Sequence, residues 1–308
     1  MKIIISGSSG LIGTALVRDL IRTGDEVRRF VRRNPRRAEG EIFWNPETFK
    51  LDRSQLEGLD AMVHLAGENI AQGRWTAAKK QRIYQSRVIG TRLVAEALAK
   101  LDRPPAAMIC ASAVGYYGDR TDEVLTEQSP AGSGFLARTC RDWEAAAAPA
   151  REAGVRVVHV RIGIVLSPKG GALRMMLPLF RKGLGGRLGA GRQYMSWVTA
   201  GDLVRIVAFL LHEESLSGAV NAVAPNPVTN RQFARSLGKV LRRPAIAPVP
   251  RLVLRLLLGK AADELLFAST RVHPTRLLAA GFAYQHEELE PALRHLLAAP
   301  ASPPGSQF

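Results

Sequence analysis

Cysteine is nearly absent. Cys110 and Cys140 are the only two in 308 residues, and neither falls in a CxxC or other metal-ligand spacing. That pattern excludes a disulfide framework, and both thiols read as reduced groups in or near the core. Long apolar runs are missing too. The best candidate, Leu252 to Leu258, contains Arg255 and is far shorter than the roughly 18 residues that cross a bilayer. No secretory leader is visible, since Met1-Lys2 runs straight into a strand pattern, so the expected compartment is the cytoplasm. The six histidines stand apart from one another and from carboxylate pairs, so no metal site is expected.

Acid is scarce relative to base: 27 Asp and Glu against 43 Lys and Arg, a net charge of +16. A nucleic-acid binder concentrates such an excess on one face or tail. Here the arginines read as spread along the chain, with small clusters at Arg28-Arg29, Arg32-Arg33 and Arg36-Arg37, and no nucleic-acid motif accompanies them. The charge reads as solvated surface, partly serving to attract a polyanionic cofactor. No specific nucleic-acid partner and no membrane partner are expected.

What is present is a rhythm of short apolar runs alternating with amphipathic stretches, which predicts parallel strands joined by helices. Strands are expected at 2–6, 26–31, 61–65, 107–112, 155–160 and 220–222. Helices are expected at 10–23, 82–99, 136–153, 172–180, 203–212 (N-capped by Asp202) and 230–240, with mostly helix from 251 to 297. The fold class is α/β: a Rossmann-type doubly wound parallel sheet with a smaller, mostly helical C-terminal region on the substrate side. Residues 1–240 form the dinucleotide-binding domain, with substrate-side segments from about 163. Residues 245–297 form a small helical domain, and 298–308 a flexible tail.

The strongest local signal is Gly7-Ser-Ser-Gly10-Leu-Ile-Gly13, which leaves a strand and opens a helix. Gly7 permits the tight turn, Gly10 lets the backbone approach a pyrophosphate, and Gly13 lets the helix pack close to the sheet. The helix N-terminus offers free N–H groups to the phosphates. The second strand then ends at Val31-Arg32-Arg33, with no carboxylate for a ribose hydroxyl. Guanidinium groups there suit a 2′-phosphate, so the cofactor is expected to be NADP(H) rather than NAD.

Three segments together resemble an extended, or atypical, short-chain dehydrogenase/reductase: the glycine loop, Asp60-Ala-Met-Val-His64-Leu-Ala-Gly67, and Ser112-Ala-Val-Gly-Tyr-Tyr-Gly118. More narrowly, the chain is similar to the "epimerase family protein" group, which carries a C-terminal domain of unknown function. The marks are Leu65-Ala-Gly-Glu-Asn-Ile70, Trp75, Ser86-Arg87, Trp143-Glu144, Arg161-x-Gly163-x-Val165-Leu166, Gly183-Leu-Gly-Gly186, Ala222-Val-Ala-Pro225 and Arg271-Val-x-Pro274. The resemblance implies that Leu65 and Ala66 line the adenosine and ribose side, that Arg87 approaches the cofactor from the long helix, and that Val165 sits near the nicotinamide. The cofactor contacts expected are thus Gly7, Ser9, Gly10, Leu11, Ile12, Gly13, Val31, Arg32, Arg33, Leu65, Ala66, Gly67, Arg87 and Val165.

The usual Ser/Tyr/Lys set of that superfamily is incomplete. Ser112 matches the serine, but the Tyr and Lys positions, set four apart, carry Leu136 and Cys140. Tyr116 or Tyr117 could supply the proton from another element, with Arg138 or a base from the glycine-rich segment lowering its pKa. Ser112 and Tyr116 are the catalytic candidates. Residues 183–191, followed by Gln193, Tyr194, Ser196 and Trp197, are expected to form a flexible lid. His64, inside an apolar strand, reads as structural. The leading function is an NADPH-dependent oxidoreductase or epimerase acting on an unidentified small molecule. The alternative is a non-catalytic NADPH-binding regulatory or scaffold protein, linked by resemblance to cell division. The helices at 82–99 and 136–153 offer a surface for a homodimer.

Overall fold

The computed structural model describes residues 1–246, 248–259 and 261–298. Most of the expected tail lies outside them. The chain opens with β1 (Lys2–Ser6), α1 (Leu11–Arg22), β2 (Glu26–Val31), β3 (Glu41–Asn45) and β4 (Lys50–Leu51). It continues with β5 (Ala61–His64), α2 (Ala77–Ala99), β6 (Ala107–Ala113), β7 (Val124–Leu125), α3 (Phe135–Ala145), α4 (Ala148–Glu152), β8 (Arg156–Ile162) and β9 (Ile164–Leu166). Then come α5 (Gly171–Arg181), β10 (Tyr194–Met195), β11 (Trp197–Thr199), α6 (Ala200–His212), β12 (Gly218–Ala222), β13 (Val228–Thr229) and α7 (Asn230–Leu241). The C-terminal part holds α8 (Arg251–Leu258), β14 (Arg271–Val272), α9 (Thr275–Ala279) and α10 (Leu289–Ala298).

Eight strands form one sheet in the order β12-β8-β6-β5-β1-β2-β3-β4, parallel except for the β3–β4 hairpin. Strand order reverses between β1 and β5, so the carboxyl ends of these two strands flank the crevice where doubly wound sheets bind ligands. The inner strands are buried on both faces, which is why β1, β5 and β6 read as continuous apolar runs. Helices α1 and α6 cover one face through Leu16, Leu20, Leu203 and Ile206. Helices α2 and α4 cover the other through Val94, Leu98 and Ala150. Helices α5, α7 and α10 close a separate lobe around Leu177, Phe233 and Leu293.

Several boundaries depart from expectation. Strand β3 went unread because Glu41-Ile-Phe-Trp-Asn45 is short and opens on a charge, yet Glu41 is buried. The helix expected over 136–153 is two helices, α3 and α4, broken at 146–147 ahead of Pro149. Asp202 does not cap α6. Thr199 does, and Asp202 instead accepts from the amides of Gln285 and His286 at 2.8 and 3.1 Å, pinning the C-terminal segment to the helix. The glycine-rich segment is not a free lid. Leu188 bridges Val249, the Leu188 amide donates to Asn230 Oδ1 at 2.7 Å, and Gln193 donates to the carbonyls of Leu188 and Leu266. Trp197, expected on that lid, is fully buried and donates to the Asn226 carbonyl.

Candidate active site

The first βα turn is built on close backbone approach. Gly7 adopts φ +69°, and a Cβ there would sit 2.8 Å from the Leu65 carbonyl carbon. A Cβ on Gly13 would lie 2.2 Å from the Gly7 carbonyl oxygen, so only glycine lets α1 pack this near the loop. A Cβ on Gly10 would meet only the Gly7 oxygen, at 3.3 Å, and Ser9 and Gly10 are exposed. No side chain caps α1. Its first-turn amides, from Leu11, Ile12 and Gly13, are therefore available to an anion.

Across the crevice, Ser6 organises the opposite wall. Its hydroxyl accepts from the amides of Leu65 at 3.1 Å and Ala66 at 3.2 Å. With both of those bonds used for acceptance, its proton goes to His64 Nδ1, 2.8 Å away. That places the imidazole proton on Nε2. Burial holds the His64 pKa down at about 4, so the ring is neutral. The structural reading of His64 acquires a reason: it fixes Ser6, which fixes the Leu65-Ala66 backbone at the switch point.

Arg32 and Arg33 part company at the end of β2. Arg33 Nη2 donates to Glu41 Oε1 at 2.6 Å and its Nη1 to the Asn34 carbonyl, so this guanidinium is engaged on β3. Arg32 is exposed and makes no ion pair among the described residues. Val31, beside it, is partly buried. Arg87 is likewise engaged. Its Nη1 donates to the Glu68 carbonyl at 3.0 Å, its guanidinium lies against Gly67 and 5.1 Å from the Trp143 ring, and burial lowers its pKa. It braces the 65–68 loop onto α2. Val165 pairs with Val198, and the turn after β9 brings Gly170 against the Leu11 side chain, so these strands reach the glycine loop.

Ser112, at the end of β6, is 3% exposed and belongs to a buried network. Its Oγ donates to Glu144 Oε1 at 2.7 Å. Arg161 on β8 grips both Glu144 oxygens at 2.9 Å and donates through Nη1 to the Tyr117 hydroxyl at 3.0 Å. Tyr117 in turn donates to Asn221 Oδ1 on β12 at 2.7 Å. Burial works against the Arg161 charge, but the bonds to Glu144 and Tyr117 outweigh it and raise its pKa. Burial raises the Tyr117 pKa as well. Tyr117 is thereby a packing residue. Tyr116 is partly exposed, its ring lies 3.4 Å beneath the Arg161 guanidinium, and its hydroxyl makes no hydrogen bond among the described residues.

Leu136 and Cys140 do stand beside the turn after Ser112, against Gly115. Cys140 is buried and its thiol is pushed up to about 12, chiefly by desolvation, so neither residue moves a proton at neutral pH. Arg138 is exposed on the other side of the helix, away from that contact. The sequence had marked Trp143-Glu144 and Arg161 only as a resemblance; that Glu144 and Arg161 neutralise each other needed the sheet order. Glu264, unmarked, caps α3 from the C-terminal segment by accepting from the Phe135 and Leu136 amides at 3.2 and 2.8 Å. Among the described residues no cluster of His, Cys, Asp or Glu could hold a metal ion, and no helix is long and apolar enough to cross a membrane.

Residues 3–222 match the model of the NAD dependent epimerase/dehydratase family, and residues 249–296 match a domain of unknown function. The epimerase family protein Mb2239 of Mycobacterium bovis is 46% identical over 296 residues, covering 96% of this chain and 97% of that protein. The crystal structure of human epimerase family protein SDR39U1 (isoform 2) with NADPH aligns at TM-score 0.89 and 36% identity, over 97% of this chain and 99% of that one. A structure described as the nucleoside-diphosphate sugar epimerase from Corynebacterium glutamicum aligns at TM-score 0.80 and 37% identity, over 96% of this chain and 58% of that one.

Proposed function

Because the chain belongs to the NAD dependent epimerase/dehydratase family, we propose that it binds NADPH across the β1–β5 crevice and acts as an oxidoreductase or epimerase on a small molecule. The observation that carries the reading is the uncapped N-terminus of α1, packed on the turn backbone through Gly13, with Gly7 against the Leu65-Ala66 backbone and Gly10 left open. Amides and helix dipole there favour a pyrophosphate. Arg32, exposed and without a carboxylate partner, supplies the preference for a 2′-phosphate, and the human relative crystallised with NADPH supports that choice.

The bound dinucleotide supplies or accepts a hydride at its nicotinamide. The chain's own part is to hold the ring beside Val165 and Ser112 and to present a proton. Ser112 already donates its hydrogen to Glu144, so toward substrate it can only accept. Tyr116 is the neighbouring hydroxyl left to donate. A second reading, NADPH binding without turnover, draws on Leu136 and Cys140 standing where a proton relay is usual and on the commitment of Ser112 to Glu144.

Fluorescence titration with NADPH and NADH tests the cofactor. NADPH is expected to bind at least about tenfold more tightly, and Arg32→Ala to erase most of that difference, as loss of one charge-assisted contact implies. Equal affinities, or none at millimolar cofactor, would overturn the reading. Stopped-flow NADPH oxidation with a panel of carbonyl compounds and sugar nucleotides separates the two functions: turnover lost in Tyr116→Phe supports the enzyme, and silence across the panel supports the binding protein.

A further inference from the structure

The excess positive charge is not spread as the chain's composition suggested. From Ala153 to Gly201, and again from Ser215 to Ala262, the sequence has no Asp or Glu at all. The fold packs these two acid-free stretches on each other. The segment after α5 runs parallel to the segment before α8: Gly183 lies against Pro244, Leu188 bridges Val249, and Arg243 Nε donates to the Arg181 carbonyl at 3.1 Å. Arg174, Arg181, Lys182, Arg242 and Arg243 are all exposed on this lobe, and none pairs with a carboxylate among the described residues. The carboxylates that do reach the lobe sit elsewhere: Glu290 pairs with Lys239 and Arg294, and Asp263 with Arg251 and Arg255.

The same strip carries exposed aliphatic side chains. Met175 and Leu179 are one turn apart on α5, at 65% and 54% exposure. The Leu184 amide bonds to the Leu179 carbonyl, which places Leu184 next in the row. The side-by-side register sets Ile246, 84% exposed, beside the 184–185 backbone. Leu252 and Leu256 share one face of α8 just beyond, at 69% and 67%. Met175, Leu179, Leu184 and Ile246 form this aliphatic row, and Leu252 and Leu256 follow it along the chain.

We propose that this lobe docks on an anionic lipid bilayer surface. Aliphatic groups flanked by unpaired arginine and lysine match an interface of acyl chain and negative headgroup. A second copy of the chain is disfavoured, since it would face like charge with like charge. Nucleic acid would be met by stacking aromatics, and none is exposed on this strip. A peripheral contact needs no spanning segment, so the expectation of no membrane partner, which rested on the lack of one, does not bear on it.

The test is vesicle flotation of the full chain with phosphatidylglycerol and with phosphatidylcholine vesicles at low and high salt. Partition to the anionic vesicles only, weakened by salt, is expected. Arg181→Gln/Lys182→Gln/Arg243→Gln should lower the partition coefficient about 100-fold, roughly fivefold per charge. Leu184→Ser/Ile246→Ser should lower it about tenfold. NADPH titration and melting temperature of the variants check that fold and cofactor site are intact, because these residues are exposed and away from the glycine loop. The proposal fails if wild type does not float. It also fails if the charge variant loses binding while the apolar variant does not, which would show electrostatic adsorption of a basic chain without insertion of the aliphatic row, or if a DNA duplex competes at stoichiometric levels.

Discussion

At the scale of single residues, the site rests on atoms that leave no room. With 2.2 Å between a Gly13 Cβ and the Gly7 oxygen, Gly13→Ala must push the loop off α1. NADPH affinity is expected to fall at least about tenfold, ~1.4 kcal/mol, in a fluorescence titration, with a smaller loss in melting temperature. His64 makes a different prediction. Its folded pKa, about 4 through desolvation, lies below the 6.5 of an exposed histidine. The unfolded chain therefore takes up a proton that the folded chain refuses, and stability falls as pH drops through that window while remaining whole above it. Urea midpoints should show about 1.5 kcal/mol lost by wild type between pH 6.5 and 5 that His64→Gln does not lose. The Gly13 effect is written in the glycine motif; the His64 effect is in no motif. Gly13 was legible as a packing glycine and His64 as a structural residue, but the Ser6–His64 contact was not, because it spans two strands far apart in sequence.

At the scale of elements, α3 shows how one helix can depend on a distant segment. Gly134 offers it no side-chain cap, and Glu264 supplies two acceptor oxygens from beyond α8. Glu264→Ala is expected to cost about 1 kcal/mol and to speed hydrogen exchange at Phe135 and Leu136. Exchange that stays at the wild-type rate would show the cap to be idle. Elements with a clear period and clear stops, such as β1, β5 and α1, were legible to within a residue or two. Strand β3 was not. A five-residue strand opening on Glu41 looks polar until Arg29, Arg33 and the Arg36 amide surround that carboxylate.

At the scale of the whole molecule, the network from Ser112 through Glu144, Arg161 and Tyr117 to Asn221 ties β6, α3, β8 and β12 together, and Asn221 Nδ2 extends it to the His273 carbonyl in the C-terminal segment. Breaking a buried pair strands a charge. Arg161→Met is expected to destabilise by about 3–5 kcal/mol in urea unfolding, and Arg161→Met/Glu144→Leu by clearly less. A double variant as unstable as the single one would mean that the pair contributes through packing alone. The basic lobe belongs to this scale also, since two acid-free stretches separated in sequence by α6 become one surface only when α5 and α7 pack together.

The alternation of the main strands and helices, the dinucleotide-type loop and the lack of the usual proton relay were determined by the sequence alone, because each depends on residues close together along the chain: a period, a glycine spacing, a missing Tyr and Lys. Which arginine stays free at the end of β2, whether Ser112 can donate, what caps α3 and where the excess charge gathers were decided only by the tertiary structure. The last three depend on partners dozens of residues away, and even the Arg33–Glu41 pair, eight residues apart, forms only because β2 and β3 lie side by side in register.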